Sequence, residues 1–182
     1  MNHMADYEDV YYDADAVVME RNSRDMARRV RIIDENAEAA CAYLHERSVA
    51  GGAPSAVIQD VFYPKYTNST KYLQCKRPGG GYGGLLSLAF TSLDASKAFY
   101  DTLACYKGPT IGTNFTLALP YTIFVFPKEV EWAEQYGMPE GLVRVSVGME
   151  DKDLIIRTFD VALKAAEGAV RSHALSRTYV KL

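Results

Sequence analysis

The sequence predicts an α/β fold in which helices cover one face of a small sheet. Short apolar runs suited to strands, near residues 57–63, 85–90 and 143–147, alternate with amphipathic stretches near 23–47, 94–105 and 151–170. The runs lie too far apart in sequence to be joined as hairpins, and elements in this order pack as a sheet with helices laid on it. The helical pattern over residues 13–47 is longer than a compact domain needs, which marks a connecting helix.

Within that first stretch a break is expected near Asn22-Ser23. Beyond it Met26, Val30, Ile33, Ala37, Ala40, Cys41 and Leu44 recur at three- and four-residue spacings, with Arg28, Arg31, Glu35 and Glu38 on the other faces. Ser23 is the candidate N-cap and Asp25 favours the helix dipole. Gly and Ala in residues 48–54 end the helix, and Pro64 closes the first strand. Residues 65–78 are polar without periodicity and read as a surface loop. In the next helix Ala98, Phe99, Leu103 and Ala104 are the candidates for burial. A short helix is expected over 128–136. The final helix places Leu154, Ile155, Phe159, Ala162 and Leu163 on one stripe, and residues 171–182 read as a tail.

Composition narrows the function classes. The chain is 48% hydrophobic and 24% charged with net charge −3, and its bases are scattered among acids. A nucleic-acid or membrane-surface binder needs a one-signed patch, so neither partner is expected. Residues 108–127 lack charge, but Pro109, Pro120, Pro127 and Asn114 break them, which suits buried irregular structure and a short strand rather than a membrane span. Asp6, Glu8 and Asp9 near the start are incompatible with a secretory signal, so a cytoplasmic location is expected. Cys41, Cys75 and Cys105 are odd in number and without a C-x-x-C pair, which argues against a disulfide framework or a zinc site. His3, His45 and His173 have no suggestive neighbours, and no metal site is expected. The acceptor-like Asn68 and Asn114 are read as chance matches.

Gly79, Gly81 and Gly84 match G-x-G-x-x-G, yet a polar loop precedes them and a strand follows. The phosphate mechanism needs the reverse, a strand before and a helix after, so these glycines are read as close backbone passage. Glu150, Asp151 and Asp153 are explained as helix-start acids. The residue that stands out is Arg144, in Leu142-Val-Arg-Val-Ser-Val-Gly148. An arginine among alternating apolar residues is either an edge residue facing water or an anion clamp, because guanidinium binds carboxylates bidentately.

That segment carries a resemblance. Gly141-Leu-Val-Arg-Val-Ser-Val-Gly-Met-Glu-Asp151 resembles the closing motif of the Cys/Met-metabolism pyridoxal-phosphate enzymes. Gly80-Gly-Tyr-Gly-Gly-Leu-Leu-Ser87 resembles their glycine-led strand, and Lys107-Gly-Pro-Thr-Ile-Gly-Thr-Asn-Phe-Thr116 their substrate segment. Asp13-Ala-Asp-Ala-Val-Val-Met-Glu-Arg-Asn-Ser-Arg-Asp25 is most similar to the fungal cystathionine γ-synthases. The four motifs fall in the family's order over residues 7–170.

The resemblance implies the C-terminal small domain of fold type I, which in these enzymes packs over a larger cofactor-bearing domain. It implies that Arg144 binds a substrate α-carboxylate, and that Thr110 stands where the family usually has serine. The family's cofactor is pyridoxal 5'-phosphate. Lys65, Lys71 and Lys76 lie in the polar loop and Lys107 in a turn, so no lysine here matches the Schiff-base motif, and the chain alone is expected not to hold the cofactor. Residues 1–22 are then the remnant of a linker, 23–170 the domain itself and 171–182 the tail. The function expected is a truncated or split γ-replacement enzyme acting on an O-acylhomoserine, associated with a copy of itself or with a chain bearing the cofactor domain. The alternative is a non-catalytic domain that binds a partner enzyme or a small carboxylate.

Overall fold

A computed structural model describes residues 11–179, so the acidic start at residues 1–10 and the end of the expected tail lie outside the described residues. Twelve elements follow in order: α1 Asp13–Ser23, α2 Met26–His45, β1 Ile58–Phe62, α3 Ser69–Cys75, β2 Leu85–Phe90, α4 Leu93–Thr102, β3 Tyr106–Lys107, β4 Leu117–Pro120, α5 Tyr121–Val125, α6 Val130–Glu134, β5 Val143–Ser146 and α7 Lys152–Tyr179. The sheet has five strands in the order β1-β2-β5-β4-β3. All pairs are antiparallel except β3 with β4.

The helices α2, α4 and α7 lie on one face, as the hydrophobic pattern requires. Strand residues alternate between faces, so Leu86, Leu88, Val143, Val145 and Val147 point together beneath them, each at most 1% exposed. Phe99 of α4 and Phe159 of α7 stack over these at 6.2 Å between ring centroids. From α2 come Ala37, Ala40, Cys41 and Leu44, all fully buried. The small alanines let this helix approach α7 closely, and Tyr43 of α2 donates to the Asp160 carboxylate across the gap at 2.7 Å.

Several expectations need correction. The break expected near Asn22-Ser23 falls two residues later, at Arg24-Asp25, where Asp25 leaves helical geometry at φ −104° and ψ 11°. Ser23 does not cap α2: its hydroxyl donates back to the Glu20 carbonyl at 2.7 Å and closes α1, a competing bond that Ser makes readily. Asp25 occupies the cap position and pairs with Arg29 at 2.8 Å. No residue of α1 is buried, and Met26 and Val30 at the start of α2 are 57% and 48% exposed.

The polar stretch expected to be a loop contains α3, whose Tyr72 hydroxyl donates to the Gly81 carbonyl at 3.0 Å. Two residues assigned to α4 lie beyond its end: Leu103 is buried there, but Ala104 is exposed. On α7, Leu154 is 48% exposed, while Ile155, Phe159, Ala162 and Leu163 are buried as expected. That helix runs past Val170 to Tyr179, so residues 171–179 are helical rather than an irregular tail. Within the uncharged stretch, α5 had no individual signal, nor had β3 just before it, whereas β4 is the buried short strand expected there. Among the described residues no helix is long and apolar enough to cross a membrane.

Candidate functional site on the open face of the sheet

Alternation along β5 creates the site. Val143 and Val145 face the helices, so Arg144 between them must face the other way. Its neighbours in register are Ser87 on β2 and Leu119 on β4. Among the described residues no long helix covers this face. Instead α5 and the turn after α6 stand at its rim, and a cavity of about 410 Å³ opens between them and the sheet. Its walls are Phe62, Leu85, Tyr121, Tyr136, Met138 and Leu142, with the Ser87 hydroxyl and the Arg144 guanidinium supplying polarity. The guanidinium carbon lies 5.3 Å from the centre of the Tyr121 ring, a cation–π contact that holds the side chain against the floor. One terminal N–H group donates to the Pro109 carbonyl. Among the described residues no carboxylate lies within ion-pair distance of Arg144; the ion pairs all involve other residues.

Residues 109–116, which supply that Pro109 carbonyl, are fixed to the sheet by a chain of hydrogen bonds. The Gly112 amide donates to Ser146 Oγ at 3.1 Å, and the Met149 amide to the Asn114 carbonyl at 2.8 Å. Glu150 accepts from Thr116 twice, from the amide at 2.5 Å and the hydroxyl at 2.9 Å. Thr116 Oγ1 in turn accepts from the Gly148 amide at 3.0 Å. From below, Asn36 Nδ2 donates to the Gly148 carbonyl at 3.1 Å and the Glu150 carbonyl at 2.8 Å. A Cβ at Gly148 would lie 2.4 Å from the Phe115 backbone; only glycine lets the loop come this close. Thr110 is exposed in the same loop, next to Pro109.

Of the two residues singled out in sequence, Arg144 lines the cavity and Thr110 lies in the adjoining loop outside its lining; the walls and the struts were missed. Glu150 was read as a helix-start acid; it turns back to hold Thr116, and Asp151 caps α7 instead by accepting from the Leu154 amide at 3.0 Å. Tyr121 and Tyr136 gave no signal because one opens a five-residue helix and the other lies in the turn after α6, where no periodicity marks them. The glycine-rich segment behaves as expected: the Gly83 amide donates to Asp34 at 2.8 Å, and a Cβ on Gly81 would approach the same side chain to 2.2 Å.

A pyridoxal-phosphate site needs an amine for the aldehyde. No lysine lines the cavity. Lys65 is paired with Glu38 at 2.7 Å. Lys107 donates to the Leu103 carbonyl at 2.9 Å, and burial holds its pKa below the ordinary lysine value. Lys76 lies 4.4 Å from the centre of the Tyr82 ring. The described residues around this cavity therefore do not fit as a covalent holder of that cofactor.

A small, mostly antiparallel sheet with long helices on one face matches the fold of PLP-dependent transferases of fold type I. Residues 8–164 match the family described as Cys/Met metabolism PLP-dependent enzyme, and the chain belongs to it. It is 53% identical over 178 residues to a cystathionine gamma-synthase-like enzyme of Amanita muscaria, iboG2, an alignment covering 91% of this chain and 28% of that protein. It is 43% identical over 161 residues to cystathionine gamma-synthase of Neurospora crassa, covering 88% of this chain and 25% of that one. Among solved structures, cystathionine gamma synthase from Xanthomonas oryzae superposes with a TM-score of 0.67 at 23% identity, over 82% of this chain and 37% of that chain, which establishes likeness of fold. The chain therefore spans between a quarter and a third of the length of these curated relatives.

Proposed function

We propose that this chain supplies the substrate-carboxylate side of a cystathionine γ-synthase-like enzyme, as a truncated or split form of the longer relatives. The reaction under this reading is pyridoxal-phosphate-dependent γ-replacement on an O-acylhomoserine. The acyl group leaves as a carboxylate from Cγ and a nucleophile takes its place, a thiol in transsulfuration or a carbon in a fungal secondary pathway. Arg144 receives the α-carboxylate through paired N–H donors, and Thr110, in the loop whose Pro109 carbonyl accepts from Arg144, is the second substrate-binding residue under this reading. The cofactor-holding residues belong to a separate chain or to the longer part of its relatives.

The observation that carries the reading is the Arg144 guanidinium, held in place on an open cavity floor with no carboxylate of its own. An arginine so placed supplies charge-assisted donors to an incoming acid. The test grafts residues 8–164 onto the cofactor-bearing part of the Neurospora relative and measures turnover of an O-acylhomoserine. Arg144→Ala should raise KM and lower kcat/KM by an amount equivalent to about 2–5 kcal/mol. Unchanged kcat/KM would refute the assignment.

A second reading, a non-catalytic domain docking on a partner enzyme, is favoured by α1, where Val17, Val18 and Met19 are 69%, 43% and 58% exposed. Contiguous exposed apolar residues mark interaction surfaces. Sedimentation of the chain with the separate cofactor domain discriminates: a stable complex without restored turnover supports docking alone.

A further inference from the structure

We infer that Ser146 is a positioning residue for the substrate side: its hydroxyl fixes residues 110–112 relative to Arg144. The inference rests on the proposal that Arg144 and Thr110 bind the substrate, and adds the residue that holds them in register. Ser146 lies two residues after Arg144 on β5, so both side chains leave the strand on the open face, about 7 Å apart along it. Each anchors one end of the same short span. Arg144 donates to the Pro109 carbonyl, and Ser146 Oγ accepts from the Gly112 amide at 3.1 Å. Only Thr110 and Ile111 lie between the two anchors, and both are exposed.

Ser146 is 4% exposed, and its cross-strand neighbours are Leu85 and Leu117. A buried hydroxyl between two leucines brings no packing advantage and needs a hydrogen-bond partner, which the Gly112 amide provides. Gly112 takes φ +75°, the left-handed region that glycine enters without penalty, and that turn brings its amide to the strand. The bond is not needed to close the loop. At one end the Gly108 amide donates to the Ala118 carbonyl at 3.0 Å, and at the other Glu150 holds Thr116. What Ser146 adds is the placement of the exposed residues in between. A guanidinium binds a carboxylate through a rigid fork of N–H groups, so a small displacement of its Pro109 tether or of Thr110 misaligns the pair.

Ser146→Ala in the full chain, followed by ¹H–¹⁵N spectra, tests this. The Gly112 amide should exchange roughly fivefold faster, as expected for the loss of one ordinary hydrogen bond, and the Arg144 Nε–H signal should shift. The Thr116 amide, held by Glu150, should exchange at its former rate. In the graft onto the cofactor-bearing part of the Neurospora relative, KM for an O-acylhomoserine should rise roughly fivefold with kcat within about twofold, the pattern of weakened binding. Ser146→Thr keeps the hydroxyl on a strand that accepts β-branched residues and should restore the exchange rate, the Arg144 signal and KM. An unmoved Arg144 signal, or an unchanged KM in Ser146→Ala, would overturn the positioning role while leaving Arg144 as the carboxylate site. Faster exchange at Thr116 as well as Gly112 would make Ser146 a general support of the loop and overturn the role too. Should the graft not turn over, the free-chain spectra decide. An unchanged kcat/KM in Arg144→Ala would instead sink the carboxylate reading on which the role of Ser146 rests.

Discussion

The two faces of the sheet use the same strands for different ends. On the covered face Leu86, Leu88, Val143 and Val145 are at most 1% exposed, and three helices complete a close-packed core. On the open face Leu85 remains 41% exposed and Tyr136 at its rim 67%, around a lone arginine. The covered face holds the fold together through area removed from water, about 25 cal/mol per Å². The open face leaves apolar surface in solvent and a guanidinium short of acceptors, which suits something that arrives from outside the described residues. Stability and recognition are therefore separated by a single residue step along β5.

Substitutions at adjacent positions offer the sharpest way to break the comparison. Val145→Asp would bury an unpaired carboxylate at a fully buried site, and the chain should fail to fold, as circular dichroism would report. Arg144→Met, one residue away, should leave unfolding free energy within about 0.5 kcal/mol. If Arg144→Met were as disruptive as the aspartate, the open face would be structural and the division between the faces would collapse.

Next in size is the strut joining the faces. Glu150→Ala removes both acceptors of Thr116, and leaving a part-buried amide unsatisfied should cost about 1–3 kcal/mol in chemical denaturation. Hydrogen exchange in residues 109–116 should accelerate at the same time. Unaltered exchange there would show that the loop holds its place without Glu150.

The smallest effect belongs to the covered side and is read at high pH. Burial raises the Cys41 thiol above its ordinary 9.0. Burial also raises the Tyr63 phenol above 10.0. Tyr43 is pushed up to about 12, first by burial and then by its bond to Asp160. Groups raised in the folded state contribute stability fully below their unfolded values and lose it as pH climbs through the folded ones. Urea midpoints should thus decline above about pH 9, where Cys41 of the unfolded chain begins to ionise. Lys107 opposes this weakly, since its lowered value makes folding cost less as pH rises toward 10.5. Tyr63→Phe forfeits the 3.0 Å bond to the Gly83 carbonyl, about 1 kcal/mol at neutral pH. It should make the alkaline decline shallower. An identical slope would remove Tyr63 from the account.

How much of this was legible beforehand depended on periodicity. The β2 strand matches its expected span, and α7 starts within a residue of the expected position, because six apolar-rich residues and a long amphipathic stripe are strong local signals. The strand β3 has two exposed residues and α5 five residues, too short for any repeat to show, whereas α6 falls within the short helix expected over 128–136. Ser23 misled because a hydroxyl before a helix and one closing the previous helix look alike in sequence; the backbone decides which carbonyl or amide it meets. Glu150 misled for the same reason, since its partner Thr116 lies far away in the chain.

By itself the sequence determined the α/β class, the order of strong elements and the family, and it singled out Arg144 as a candidate. These follow from local alternation and motif order, which one chain segment can carry alone. Only the tertiary structure decided that Arg144 faces a cavity walled by Tyr121 and Tyr136, and that Asn36, Thr116 and Glu150 fix the loop above it. Those relations join residues from α2, the loop before β4, α5, the turn after α6 and the residues just before α7, and pairings across such separations have no imprint in local pattern.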